Sequence, residues 1–427
     1  MKSIAIIGGG ITGVTSAYAL ARRGFAVTLF ERHRYAAMET SFANGGQLSA
    51  SNAEVWNHAS TVFKGLKWML KADAPLLVNP RPSWHKLSWF AEFIAAIPHY
   101  RENTIETTRL AVAAREHLYQ WAEAEGIDFD LKKAGILHIY RDRAGFAHAG
   151  EVSKLLAAGG LPRRAVTPAE MRAIEPTLAG DYYGGYFTES DATGDIHKYT
   201  VGLAAACERL GVRIVYGADV RGVRSTGHSA MVRLAQDAGP EQQHSFDAVL
   251  ICAGVASRDL AAQLGDRVNI YPVKGYSITV NLLDAASQAG APTVSLLDDA
   301  AKLVTSRLGA DRFRVAGTAE FNGINRDIRA DRIRPLVEWV NACFPQVNTR
   351  QVVPWAGLRP MRPNMLPRVG RGRRANVFYN TGHGHLGWTL SAVTAEMVAT
   401  LMQEAAGPAT RMQAPAAGAR PQPLTGH

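Results

Sequence analysis

Ile4-Ala5-Ile6-Ile7-Gly8-Gly9-Gly10-Ile11-Thr12-Gly13-Val14, followed downstream by Ala26-Val27-Thr28-Leu29-Phe30-Glu31, decides the fold of this chain. The first four residues have the length and composition of a short buried strand. Val14, Ala17, Tyr18 and Ala21 then recur with helical spacing, Gly24 suits a helix C-cap, and residues 26–30 read as a second strand. Strand, helix and strand in this order make a βαβ unit, whose natural product is a parallel sheet. Each glycine of the turn has a purpose. Gly8 makes the tight bend, Gly10 lets a pyrophosphate approach the helix N-terminus, and Gly13 permits close packing of helix on strand. Glu31, 18 residues after Gly13, is placed to accept hydrogen bonds from ribose hydroxyls. Ile11, Thr12 and Arg32 complete the candidate contacts of this dinucleotide-binding half.

A second glycine turn lies at the other end of the chain. Thr381-Gly382-His383-Gly384-His385-Leu386-Gly387 connects an apolar strand, residues 377–380, to an apolar helix, residues 389–403. That helix directs its positive end at the turn. A reduced flavin carries negative charge on its pyrimidine side, so the placement favours reduction. Gly382, His383, Gly384, His385, Leu386, Gly387 and Thr389 are therefore candidate cofactor contacts. The loop from Glu39 to Gln47 is polar and glycine-containing, able to fold back over a pyrophosphate with N–H and hydroxyl donors. It contributes Thr40, Ser41, Gly45, Gly46 and Gln47. The combination points to FAD. His383 and His385 form an HxH pair without a third ligand at supporting spacing, so no metal site is expected. Gly357-Leu358-Arg359-Pro360-Met361-Arg362-Pro363 holds Arg359 in a rigid segment suited to bidentate carboxylate recognition, with a surface or ion-paired arginine as the alternative.

The pattern along the chain gives an α/β fold, a Rossmann-like FAD-binding domain interleaved with an α+β substrate-binding domain. The expected division is 1–54, 193–265 and 350–404 for the first, 55–192 and 266–349 for the second, with 405–427 a disordered tail rich in Ala, Pro and Gln. Residues 54–125 read as mostly helical, with Val55, Ala59, Val62, Leu66, Met69 and Leu70 on one face and Lys64, Lys67 and Lys71 on another. Further strands are expected at 136–140, 212–216, 220–223, 248–252, 276–280 and 313–316, and helices at 198–210 and 333–343.

Composition removes several function classes. The chain of 427 residues is 47% hydrophobic and 20% charged, as an ordinary globular protein is. Cys207, Cys252 and Cys343 lie far apart with no CxxC pair, which suits a reducing compartment and disfavours a zinc ribbon or iron–sulfur cluster. The glycine turn interrupts the N-terminal apolar run too early for a signal peptide, and no stretch reaches the about 18 apolar residues of a membrane span. The expected location is cytoplasmic. The net charge of +10 is spread along the chain without a nucleic-acid motif, leaving an anionic cofactor, a carboxylate substrate or a lipid surface as its uses. Lys64, Lys67 and Lys71 with Trp56, Trp68, Trp84 and Trp89 could mark peripheral contact with the inner face of the membrane, against packing of the aromatics in the substrate domain.

With these pieces assembled the chain resembles the D-amino-acid oxidase superfamily of FAD enzymes, and within it the bacterial D-amino-acid dehydrogenases. The resemblance extends to about residue 400 and includes the Gly8–Gly13 turn with Glu31, the 39–47 loop, Tyr271-Pro272-Val273-Lys274-Gly275-Tyr276-Ser277, the Arg359 segment and Asn380–Gly384. It implies oxidation of a D-amino acid to an imino acid, hydrolysed to a 2-oxo acid and ammonia, with a hydride passing from Cα to flavin N5. It implies that Arg359 holds the substrate carboxylate, that Tyr276 lines the pocket or touches that carboxylate, and that Val220, Ala253 and Gly254 lie along the cofactor. Two departures stand out: His385 where relatives often carry a smaller residue, and Asn364-Met365 where an acidic residue and glycine are common. No cysteine lies near Arg359, so noncovalent FAD is expected. The electron acceptor, quinone or oxygen, is not encoded in any motif. A cyclic or N-alkylated amino acid such as hydroxy-D-proline or sarcosine is the alternative substrate, and a flavin-carrying subunit without its own chemistry the alternative from another class.

Overall fold

The opening βαβ unit forms the centre of a six-stranded sheet in the computed structural model, which describes residues 2–59, 61, 75–236 and 239–407. Ser3–Ile7 pairs in parallel with Ala26–Phe30 on one side and Ala248–Ile251 on the other. Arg213–Val215 extends the parallel sheet beyond Ala26–Phe30, and Val377–Thr381 extends it beyond Ala248–Ile251. Arg368–Arg371 closes that edge antiparallel. A central parallel strand is buried on both faces, and Ile4, Ala5 and Ile6 have no exposed surface. Helices Ile11–Ala21, Ile196–Arg209 and Gly387–Ala406 cover one face through Val14, Leu203 and Val398. A three-stranded antiparallel sheet, Ala218–Ser225, Ala230–Gln236 and Gln242–Phe246, covers the other. Each such buried aliphatic side chain contributes about 2 kcal/mol.

A second, mixed sheet of nine strands is centred on Tyr271–Asn281 and Arg312–Phe321. Helix Ala330–Cys343 packs on one face of it through Leu336 and Val340. Its edge is Val352–Met361, paired antiparallel with Tyr271–Asn281 over its whole length. This strand corrects the expected division, which placed residues 350–404 together with the first sheet. Pro354 and Pro360 masked it in the sequence, yet an edge strand tolerates prolines because its outer N–H groups bond to nothing in the sheet.

The expected helical face starting at Val55 also needs correction, since residues 53–58 are not helical; Val62, Lys64, Leu66, Lys67, Trp68, Met69, Leu70 and Lys71 lie outside the described residues. The remaining tryptophans divide. Trp89 is buried, Trp56 half-buried, and Trp84 is 82% exposed on helix Trp84–Ala95. The last helix runs to Ala406, two residues into the expected tail, and 408–427 lie outside the described residues. Among the described residues no helix is long and apolar enough to cross a membrane.

Candidate active site

A cavity of about 410 Å³ separates the two sheets, and every candidate residue borders it except Gly13. Gly13 packs instead. A Cβ there would lie 1.8 Å from the Gly8 carbonyl oxygen, which is the close helix–strand approach expected of the third glycine. Gly8 has φ +107°, and a Cβ on it would meet the Cys252 carbonyl at 2.6 Å. Gly10 precedes helix Ile11–Ala21, whose first turn holds no acidic residue and no side-chain cap. Its missing Cβ faces open space, with Ser41 Oγ at 3.5 Å as the nearest atom. Ser41 Oγ accepts the Ile11 N–H at 3.1 Å and so holds the 39–47 loop at the helix start.

Glu31 is buried and accepts the Gly9 N–H at 2.6 Å and the His33 N–H at 2.9 Å. It braces the glycine turn, and a carboxylate keeps lone pairs for further donors. Arg32 pairs with Glu39, and Arg326 reaches across from the second sheet to the same carboxylate. The loop is tied to that sheet at three more points. Thr40 donates to the Leu358 carbonyl at 2.8 Å, Ser277 to Ala43 at 2.9 Å and Ser306 to Gly45 at 2.6 Å. Gly46, with φ +71°, precedes Gln47, whose amide donates to Ser295 and Leu296 while its Oε1 is buried without a partner. Val220 sits at a β-bulge, and Ala253-Gly254 at the turn after Ala248–Ile251.

At the opposite end of the cavity, Gly382 and Gly384 adopt φ +76° and +59°, where side chains would strike Arg362 and Met361. Helix Gly387–Ala406 begins with neither an acidic residue nor a side-chain cap, and Thr389 Oγ1 accepts the Ser49 N–H at 3.2 Å. His383 is buried against Thr394 at 3.0 Å. His385 donates from Nε2 to the Asn52 carbonyl at 3.2 Å and stacks on Trp56. Burial pushes His383 down to about 3 and His385 to about 4, so both are neutral at pH 7. Two helix N-termini without an acidic residue or a capping side chain of their own, glycine cradles beside them and a buried acceptor unpartnered among the described residues fit a dinucleotide carrying a polar ring system.

Arg359 lies between these ends. Its guanidinium crosses Gly275, where a Cβ would stand 2.3 Å from Cζ. It donates to the Thr318 carbonyl at 2.8 Å, and no carboxylate among the described residues pairs with it. Thr318 occupies a β-bulge with φ +57°, an outlier for a β-branched residue. Burial lowers the Arg359 pKa to about 10, leaving a cation at neutral pH. Tyr276 borders the cavity, but not on the side of Arg359. Strand alternation turns its ring to the face opposite Gly275 and Arg359, and its hydroxyl donates to Glu320 at 2.8 Å. The geometry gives a carboxylate contact by Tyr276 no support.

Sequence reasoning missed the segment Asn52–His58, which borders the cavity with Glu54, Trp56 and His58. It also missed the support beneath it. Asp191, fully buried and paired with Arg115, accepts the N–H groups of Ala50 and Ser51 at 3.1 Å each. Nothing local marks these residues, because their partners are about a hundred positions away.

A nucleotide turn at one end of a cavity and a helix terminus at the other define a dinucleotide-dependent oxidoreductase. Over residues 3–401 the chain matches the DAO family, described as FAD dependent oxidoreductase; it belongs to that family, and FAD is its cofactor. It is similar to D-amino acid dehydrogenase 3 of Mesorhizobium japonicum, 63% identical over 402 residues that cover 94% of this chain and 97% of that protein. D-amino acid dehydrogenase of Paramagnetospirillum magneticum is 40% identical over 410 residues, covering 93% and 94%. Glycine oxidase from Geobacillus kaustophilus shares the fold with a TM-score of 0.72, 20% identity and 95% coverage of each chain. L-proline dehydrogenase from P. horikoshii also has a TM-score of 0.72, at 17% identity over 94% of this chain and 93% of that one. The family resemblance, the fold class and the FAD cofactor read from the motifs are borne out.

Proposed function

We propose that this chain is an FAD-dependent dehydrogenase of D-amino acids, producing 2-oxo acids and ammonia, with Arg359 as the carboxylate anchor. The carrying observation is the Arg359 guanidinium, held in the cavity wall by a backbone carbonyl and paired with no carboxylate among the described residues. A carboxylate supplies the missing charge through two parallel hydrogen bonds. Fixing it also fixes Cα, which makes the reaction effectively intramolecular. Bound FAD supplies the hydride acceptor. The amine is neutral when the hydride leaves, its ammonium proton having gone to water, and the imino acid then takes up water to give the 2-oxo acid and ammonia. The N-terminus of helix Gly387–Ala406 stabilises negative charge at the second glycine turn. Gly8, Gly10, Ile11, Thr12, Glu31 and the 39–47 loop serve the dinucleotide, and the FAD is held noncovalently. We read the chain as an FAD-binding unit, 1–54, 193–265 and most of 350–404, and a substrate unit that also takes the strand Val352–Met361.

Anaerobic mixing of the purified protein with D-amino acids, D-proline and sarcosine is the direct test. Bleaching of the flavin by D-amino acids is the expected result, and bleaching by sarcosine or D-proline alone would replace the substrate class. Flavin remaining with the acid precipitate would contradict noncovalent binding. For the electron acceptor we favour a quinone at a membrane surface, because Trp84, Leu87 and Ile94 form an exposed apolar row on helix Trp84–Ala95. Protein that never sediments with membranes at low salt would remove this reading in favour of oxygen.

A further inference from the structure

The cavity that holds Arg359 is also lined by a carboxylate, Glu54. The segment Asn52–His58 lies along its wall, and its side chains alternate. Ala53, Val55 and Asn57 are buried, although Val55 also reaches the cavity wall, whereas Asn52, Glu54, Trp56 and His58 are half-buried and border the cavity. The half-buried residues of this irregular segment keep their accessible surface toward whatever fills the space. The two central residues of that set are a carboxylate and an indole.

Both are held in place. Tyr100 donates to Glu54 Oε1 at 2.7 Å, and His148 Nε2 lies 3.4 Å from the same oxygen. These contacts orient the carboxyl group yet, among the described residues, engage a single oxygen, and 30% of the side chain stays accessible. Burial raises the Glu54 pKa, but the hydrogen bonds from His148 and Tyr100 outweigh it and hold the group below the ordinary carboxylate range. Asp299, another cavity residue, adds negative potential at Glu54, offset in part by its own pair with Lys302. Trp56 stacks on His385 with centroids 5.0 Å apart and planes 19° from parallel. His385 in turn lies within the field of Arg359. The wall thus combines a cation, two stacked rings and a carboxylate.

An amino acid anchored by its carboxylate at Arg359 has its side chain left to extend along this wall. Resting on the reading of Arg359 as that anchor, we propose that Glu54 and Trp56 form the side-chain subsite, and that it takes D-amino acids ending in an ammonium or guanidinium group. Such a group pairs with the unengaged Glu54 oxygen and lies against the indole face. A neutral side chain gains neither contact, and an anionic one meets like charge.

The test compares kcat/KM of the FAD-loaded enzyme for D-arginine and D-lysine with D-methionine, a neutral chain of similar length, and D-glutamate. The cationic substrates should exceed D-methionine by about tenfold or more, with D-glutamate lowest. Glu54→Gln should reduce the D-arginine to D-methionine ratio by about tenfold, and Trp56→Leu, which keeps the carboxylate, should reduce it severalfold. An unchanged ratio in Glu54→Gln, or an equal loss on every substrate as expected of an α-ammonium contact, overturns the subsite. The wild-type panel decides even where a variant does not fold. Turnover of D-methionine without preference for the cationic chains defeats this inference alone, whereas failure of every D-amino acid to bleach the flavin defeats the D-amino-acid reading itself.

Discussion

Arg359 reaches its position because residue 275 has no side chain. Gly275→Ala would place a methyl group 2.3 Å from the guanidinium carbon, and the arginine must swing away. The expected result is a rise in substrate KM of about tenfold or more, a smaller change in kcat, and undiminished flavin content. Loss of flavin without a change in KM would show that Gly275 serves the fold only. Thr318 gives a contrasting prediction. Its left-handed φ costs about 1–3 kcal/mol, and its carbonyl, not its hydroxyl, holds Arg359. Thr318→Gly should therefore keep kcat/KM near wild type and leave the melting temperature unchanged or raised, since glycine returns up to about 1 kcal/mol as chain entropy. A steep loss of activity would assign the hydroxyl a role. The charge on Arg359 can be followed separately. Binding of a simple carboxylate inhibitor, read from the flavin spectrum, should weaken as pH rises through about 10 and the cation is lost. At this scale the rigid setting of Arg359 was legible in the sequence, because its stiffening prolines are adjacent in the chain. Gly275 was not, since its purpose depends on a guanidinium two strands' register away in sequence but next to it in space. Tyr276 was legible as a cavity residue, but alternation gives only a residue's parity, and only the structure shows its ring turned away from Arg359.

Between elements, the carboxylate of Asp191 joins three separate pieces of chain. It follows the strand Gly184–Thr188, pairs with Arg115 on helix Tyr100–Glu125, and gathers Ser49, Ala50 and Ser51, the turn that leads to the Asn52 carbonyl beside His385. Replacing Asp191 by Ala leaves the Arg115 cation buried and unpaired. Breaking such a pair costs about 3–5 kcal/mol, so the urea midpoint should fall and FAD affinity should fall with it. The double variant Asp191→Asn with Arg115→Met, which removes both charges, should recover part of the stability. If it is no more stable than Asp191→Ala, the loss comes from the loop hydrogen bonds and not from the stranded charge. None of this clamp was legible in the sequence, where Asp191 stands in an unremarkable turn. The regular elements were more readable, because period and burial coincide within them: the opening βαβ unit, Ile136–Tyr140, Ile196–Arg209 and Ala330–Cys343 all fall where the pattern puts them. Val352–Met361 escaped because its prolines imitate a loop, and the non-helical residues 55–58 because Val55 stands in step with the apolar stripe that follows it in sequence.

For the molecule as a whole, the meeting of the two glycine turns was legible because a parallel sheet brings strand ends from distant sequence to one edge. The loop that bridges the two sheets was legible only as a loop, since its anchors Leu358, Ser277 and Ser306 are remote. The same assembly buries His383 and His385 at the closing turn, and that burial sets an acid limit on stability. In the folded protein these rings titrate at about 3 and about 4, while in the unfolded chain they take protons near the ordinary histidine value of about 6.5. Between about 6.5 and 4 the unfolded state therefore binds more protons, and stability must fall as pH is lowered. Above about 6.5 neither state binds the protons, and this contribution is fully retained. Two groups titrating together give a slope of up to about 2.7 kcal/mol per pH unit within the window, before the carboxylates begin to protonate. Urea unfolding of the FAD-bound protein at pH 7.5, 6, 5 and 4.5 should trace this decline. The variant His385→Asn should show a shallower slope wherever it folds, the remainder carried by His383 and by His138, which burial also holds well below the ordinary histidine value. A stability that stays level from pH 7 to pH 4.5 would mean that the two rings are not held neutral, and that the closing turn is more open to water than the structure has it.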